Sequence, residues 1–172
     1  MYDLKHLQDR AEIEDVIHRY CDLTDRSTYE GEHLLDSLAE IFAEDLAVDY
    51  GFAETFASAA AWIAQWKRMR PDLGRVHHLY GNMQIRIDGD VATARYHVLA
   101  RHSWDNGDHW HAGAVFDTGL SRLSGRWKIA SILLHVRYMD DPFGRIAALP
   151  QHQKHSFVEH ERQASPQNRK AP

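Results

Sequence analysis

Cysteine is almost missing from this chain: Cys21 is the only one, which rules out an intrachain disulfide and a cysteine-based zinc site. A reducing compartment suits that composition. Also missing is any apolar run near the ~20 residues that span a bilayer, so no membrane partner is expected. The opening stretch, MYDLKHLQDRAEIEDV, has neither the basic start nor the apolar segment of a secretory signal, which points to a cytoplasmic protein. Positive charge is in short supply as well. A formal net charge of −5 and a pI near 6.2 remove the broad positive field that nonspecific nucleic-acid binding requires.

What remains is an ordinary globular composition, 44% apolar and 26% charged, over 172 residues that suit one domain with a real core. Histidine stands out. There are 13, and His77, His78, His97, His102, His109 and His111 crowd the middle of the chain. Each is either an ordinary surface or packing residue or part of a site that titrates, ligates or moves protons.

Ile13, Val16, Ile17, Tyr20 and Leu23 recur at helical spacing, and Asp9 followed by Glu12 reads as a variant capping box that starts the helix near Asp9. After the polar stretch Asp25-Arg-Ser-Thr, the stripe Leu34, Leu35, Leu38, Ile41, Phe42 predicts a second helix, forming a helical hairpin with the first. Leu46–Tyr50 reads as a strand. Ser58 is placed to cap a third, short helix carrying Ala60, Ile63 and Trp66, which Pro71 ends. From Val76 the period changes: β-rich runs at 76–88, 91–104, 109–122 and 126–138 are joined by Asp-Gly-Asp, Asn-Gly and Ser-Gly turns. This order predicts an α+β fold, a cone-shaped curved antiparallel sheet packed on three N-terminal helices. The domain is expected over 1–150 and a mobile tail over 151–172, where apolar residues are few.

Strand parity gives the first chemical clue. Ala92, Ala94, Tyr96, Val98, Ala100, His102 and Trp104 share one face, so His102 is either a satisfied core residue or a pocket group. In 76–88 the parity of Leu79, Met83, Ile85 and Ile87 includes His77 and excludes His78, unless a bulge near Gly81 reverses the faces. Asp25 is either a turn or N-cap residue or a carboxylate entering the cavity beneath Tyr20. An Asp paired with a His fixes the imidazole tautomer and raises its basicity, which proton removal from carbon requires. His109-Trp-His111 offers a rival reading, two alternate histidines on one strand face that could chelate zinc.

Tyr20-x4-Asp25, Val48-Asp49-Tyr50, Val76-His-His-Leu-Tyr-Gly-Asn82, Ile87-Asp-Gly-Asp-Val-Ala-Thr-Ala94 and Gly125-Arg-Trp-Lys-Ile129 occur in the order of the SnoaL-like and nuclear transport factor 2-like proteins. The resemblance spans roughly residues 5–145 and is nearest to the group of scytalone dehydratase and bile acid 7α-dehydratase. It implies a cystatin-like α+β barrel with a hydrophobic pocket and a lyase that needs no cofactor or metal, acting on a small cyclic hydroxylated or keto substrate. By position, His78 matches the base, Asp25 its orienting carboxylate, and Tyr20 and Tyr50 the tyrosines that bind or help expel the leaving oxygen. His102, Trp104, Phe116 and Arg137 fall at substrate-binding positions, Arg137 facing an acidic group. The pair Phe116-Asp117 stands where some relatives place a pocket Asn or Tyr. An isomerase or cyclase, or a noncatalytic binding or assembly module, is the alternative, since one fold hosts many functions. The open sheet face predicts a homo-oligomer, a dimer or trimer.

Overall fold

The computed structural model describes residues 3–50 and 55–145; the expected tail at 151–172 lies outside them. Helix α1 spans Leu4–Glu30 and is capped by Asp3, whose side chain accepts from the His6 N–H. It thus starts before Asp9, which is an interior residue and not a cap. It also runs straight through Asp25-Arg-Ser-Thr. Ser and Thr lose a few tenths of a kcal/mol each to poor helix propensity, about 0.5, whereas burying one Ile contributes roughly 1.5–3 kcal/mol. Ile13 and Ile17 are wholly buried, so packing decides. The polar turn adds its own bonds, Ser27 Oγ to the Thr24 carbonyl at 2.7 Å and Thr28 Oγ1 to the Asp25 carbonyl at 2.6 Å.

Gly31, at φ 136°, ends α1, and the expected second helix is a 3₁₀ helix, Glu32–Glu40. Its buried residues Leu35 and Leu38 are three apart, the repeat of a 3₁₀ turn. Ile41 and Phe42 leave the helix, Phe42 opening strand β1, Phe42–Asp49. Helix α2, Ala59–Met69, is capped by Ser58 as expected. Its buried stripe, however, is Ala59, Trp62, Trp66 and Met69, with Ala60 exposed.

Strands β2 (Arg75–Asp88), β3 (Val91–Ser103), β4 (His109–Leu123) and β5 (Arg126–Asp140) form the expected antiparallel meander. The order across the sheet is β1-β5-β4-β3-β2, and β1 joins β5 in parallel, which the meander reading did not anticipate. The helices cover one face, where Ile13, Ile17, Tyr96, Phe116 and Ile132 meet in one core. Ser124 and Gly125, at φ 50° and 79°, make the tight β4–β5 turn, the backbone type that fits strand twist. No helix among the described residues is long and apolar enough to cross a membrane.

One ion pair ties the start of α1 to the end of the sheet. Asp9 Oδ1 lies 2.5 Å from an Arg122 nitrogen, and Arg122 also stacks over Trp127, 4.4 Å from the ring centroid. Arg122, helped by Lys5 and Trp127, holds the Asp9 carboxyl down at about 2 against the opposing effect of burial. Removing one partner of so enclosed a pair costs on the order of 3 kcal/mol. Because Asp9 is more acidic folded than unfolded, its stabilisation is complete above pH ~5 and is lost as pH falls toward 2. We predict that Asp9→Asn lowers the melting temperature at neutral pH and flattens the acid limb of stability. Calorimetry from pH 7 to 2 checks this; parallel acid limbs for the two proteins would mean the pair is inert.

Candidate active site

The last turns of α1 lie against the start of β2, and Asp25 is the link. Its Oδ2 accepts the His78 backbone N–H at 2.7 Å, and its Oδ1 lies 2.5 Å from His78 Nδ1. One carboxylate is thus engaged twice by one residue. A carboxylate only accepts, so Nδ1 carries the ring proton and Nε2 of a neutral His78 keeps its lone pair. Thr28 adds a second tie between the elements, its Oγ1 accepting the Val76 N–H at 3.1 Å. Arg70, where α2 ends, fastens the same helix end through the Ser27 carbonyl. Asp25 and His78 side chains are 10% and 12% exposed, enough enclosure to strengthen their charge interaction.

His78 points inward because the strand changes parity. The register shifts between Gly81 and Gln84, and Asn82 takes φ 52°. This bulge lets Val76, His78 and Tyr80 face the helices together with Met83, Ile85 and Ile87, while His77 is turned outward and 79% exposed. His77 Nδ1 still approaches Asp25 Oδ2 to 3.8 Å.

Tyr20 and Tyr50 meet beneath this dyad, with their hydroxyls 2.7 Å apart. The Trp62 and Trp66 indoles donate to the Tyr20 oxygen at 3.3 and 3.2 Å. Burial pushes Tyr20 up to about 12 despite these donors, and pushes Tyr50 and Tyr80 well above the usual phenol value. Phe116 closes the aromatic floor, its ring 5.6 Å from Tyr50 and 5.4 Å from Tyr96. Asp117 turns to the outer face, where Arg95 and His135 bind it. Trp62, Trp66 and Tyr80 were not singled out from sequence. Tyr80 was within reach, lying two residues beyond His78 on one strand face; Trp66 was expected in the α2 stripe only as a packing residue, and grouping it with Ala60 and Ile63 left out Trp62, one turn earlier.

His102 is buried, its ring stacked 3.7 Å from Trp110, and its Nδ1 lies 2.9 Å from the Leu73 carbonyl. Trp104 packs with Trp110, Ala112 and Met139 in a separate small cluster and stacks beneath Arg145. Gly74 is required there: at φ 65° its absent Cβ would stand 2.8 Å from the Trp104 ring. Arg137 is exposed at a β5 bulge, where Tyr138 faces Gly113 and Val136 faces Ala114. The structure therefore gathers Asp25, His78, Tyr20, Tyr50 and Phe116, and leaves Trp104 and Arg137 outside that group.

Cys21 Sγ, an Asp25 oxygen and a His78 nitrogen lie within 4.8 Å of one another, a spacing that a metal ion could bridge. Burial and the charge of Asp25 push the Cys21 thiol up to about 12, so an ion at this point would have to displace the thiol proton. His109 and His111 turn to different partners, the Gly107 carbonyl and Asp140.

Burial, only partly offset by the Leu73 carbonyl, pulls His102 down to about 3. It should stay neutral, with its proton on Nδ1, since a carbonyl only accepts. Histidine nitrogen NMR should therefore show His102 unchanged from pH 8 to 5. A midpoint in that range would mean the ring is far less enclosed.

Residues 5–132 match the SnoaL-like domain family. Among curated proteins, uncharacterized proteins of Mycobacterium tuberculosis and Mycobacterium bovis are 26% identical over 99 residues, 55% of this chain and 61% of theirs. The match spans less than two thirds of those relatives' length. Among solved structures, hexachlorocyclohexane dehydrochlorinase of Novosphingobium barchaimii superposes with a TM-score of 0.71 at 19% identity, covering 83% of this chain and 96% of that one. A candidate scytalone dehydratase of Novosphingobium aromaticivorans gives 0.69 at 20% identity, covering 78% and 88%. Identities this low establish a shared fold and nothing of the chemistry. With the family match running from α1 into the first half of β5, the chain belongs to the SnoaL-like domain family.

Proposed function

We propose that the protein is a lyase of the dehydratase kind, with its own side chains as base and acid, acting on a small cyclic hydroxylated or keto compound. One observation carries this reading: both oxygens of Asp25 engage His78, through its backbone N–H and its Nδ1, which leaves Nε2 as the proton acceptor. His78 takes a proton from a carbon next to a carbonyl or equivalent group. The electrons of that C–H bond form a double bond, and the C–O bond breaks. The departing oxygen collects a proton from the tyrosine pair and leaves as water. Asp25 stabilises the imidazolium that forms and holds the ring in place. The solved relatives named for elimination reactions, at under 25% identity, agree with this reading through their fold.

His78→Ala removes the acceptor, so turnover of the substrate should fall by roughly 10²–10⁴-fold. Asp25→Asn keeps the shape while weakening tautomer control, and its loss should also be large. Both variants should fold, as circular dichroism would record. Full activity in both would end the dyad reading and leave a binding module as the better account.

The same reading includes a homo-oligomer. Leu79, Leu99 and Tyr138 are 61%, 51% and 49% exposed, and strand register puts them in one row across the outer face, with Gly113 between Leu99 and Tyr138. A row of apolar groups in water favours association. Light scattering at micromolar concentration should give a dimer or trimer; a monomer would contradict it.

A further inference from the structure

The bulge that turns His78 inward also interrupts the sheet on its other side. Where the β2–β3 register shifts, Asn82, Met83 and Gln84 of β2 and Arg95 and His97 of β3 line a groove of about 420 Å³. That is the scale of a small-molecule site, roughly 300–1,000 Å³. Gly81, paired with His97, adds no side chain, and a Cβ there would meet no atom within 4 Å. Arg95 and His97 are exposed and alternate with the buried Ala94, Tyr96 and Val98, so they stand on the face away from the Asp25–His78 dyad.

None of the five lining residues is acidic. Asp117 lies across the sheet from Arg95 and fixes it: Arg95 Nη1 donates to both carboxylate oxygens, at 2.9 and 2.8 Å, and His135 Nε2 lies 3.0 Å from the same carboxylate. The guanidinium is thus anchored through one nitrogen. Its Nε and Nη2 make no hydrogen bond among the described residues, and together they form the edge that meets a planar carboxylate by two parallel bonds. Among the described residues the side chains of Asn82, Gln84 and His97 make no hydrogen bond either. A carboxamide both donates and accepts, which suits a hydroxyl or keto oxygen beside such a carboxylate, and an imidazole offers an N–H in either protonation state.

We propose that this groove binds a small organic acid, with its carboxylate on the Nε–Nη2 edge of Arg95 and its hydroxyl or keto oxygens among Asn82, Gln84 and His97. The site lies outside the dehydratase reading and does not depend on it. Its specificity comes from the division of labour in the groove. Arg95, already held by Asp117, loses little freedom when it takes a carboxylate, and the uncharged amides distinguish an oxygenated acid from a bare anion.

Titrating the full chain with citrate, followed by the ¹⁵N signals of the Arg95 Nε–H and the His97 ring, tests this. Both signals should shift and saturate, with a Kd of about 1 mM or below. Tricarballylate, which is citrate without its hydroxyl, should bind about threefold or more weakly, and inorganic phosphate at matched ionic strength more weakly again. Equal binding of all three would show attraction of charge alone and overturn the proposal. Arg95→Lys keeps a cation for Asp117 but loses the fork, so citrate affinity should fall about tenfold or more, and His97→Ala should weaken it further. Both residues are exposed, so the double variant should fold, as circular dichroism would record. Binding that persists in Arg95→Lys/His97→Ala but is lost in His78→Ala would put the acid in the Asp25–His78 site and overturn the assignment. The groove shares its face with the Leu79, Leu99 and Tyr138 row, so the signals are also followed on dilution. Shifts that track protein concentration and ignore citrate would mean that a second copy fills the groove, which also overturns it.

Discussion

The carboxylate of Asp25 holds the helix layer to the sheet layer at the point where we propose the chemistry. It closes two hydrogen bonds to His78, so its fold-stabilising and site-building roles are one set of contacts. Everything around it serves to bring that oxygen pair to that residue. Helix α1 must reach far enough for its last turns to lie over β2, and it does so because apolar burial at Ile13, Ile17, Tyr20 and Leu23 outweighs the weak propensity of Ser27 and Thr28. Thr28 and Arg70 then fasten the helix end by two further bonds. A carboxylate placed on a free-standing loop would have neither the reach nor the constraint.

Much of this was legible in the sequence, for identifiable reasons. The four long strands and their turns were plain because alternation and Gly-containing dipeptides are local signals. Parity placed His102 and Tyr96 on the inner face, where they are. The boundary of α1 was misread because Asp9 has the right chemistry for a cap, while the partner that claims it, Arg122, is more than a hundred residues away and invisible to local rules. The pairing of β1 with β5 in parallel was beyond local reading for the same reason. The second helix was placed correctly over Leu34, Leu35 and Leu38 but extended too far, through Ile41 and Phe42, and its type was missed, since those leucines satisfy either an α or a 3₁₀ turn until packing selects the three-residue repeat.

His78 shows how one backbone irregularity decides which side chain reaches the interior. Strict alternation assigns His77 to the inner face and sends His78 to solvent. The bulge at Gly81 and Asn82 adds the residue that corrects the phase, and the cost is a positive φ at Asn82, a residue that tolerates it better than most. Both strand segments then bury their apolar residues on the same side. The sequence could pose this choice but not resolve it, because the deciding energy is the burial of Val76 and Tyr80 at one end against Ile85 and Ile87 at the other.

His78 and His102 share the inner face, yet their partners give them opposite characters. His102 donates to a peptide carbonyl and stacks on an indole, so among the described residues no carboxylate balances a positive charge there and the ring is held neutral. His78 donates to a carboxylate, so a proton arriving at Nε2 creates an ion pair in place of an isolated buried charge. A general base needs that second arrangement, since its protonated form must be tolerable where it forms. The tyrosine pair completes the same logic with the sign reversed. A buried phenol that gives up a proton needs donors already aimed at its oxygen, and Trp62 and Trp66 are aimed at Tyr20 before any substrate arrives. The proposed base and acid are thus each backed by a group of complementary polarity, and the two supports come from different helices, α1 for His78 and α2 for Tyr20.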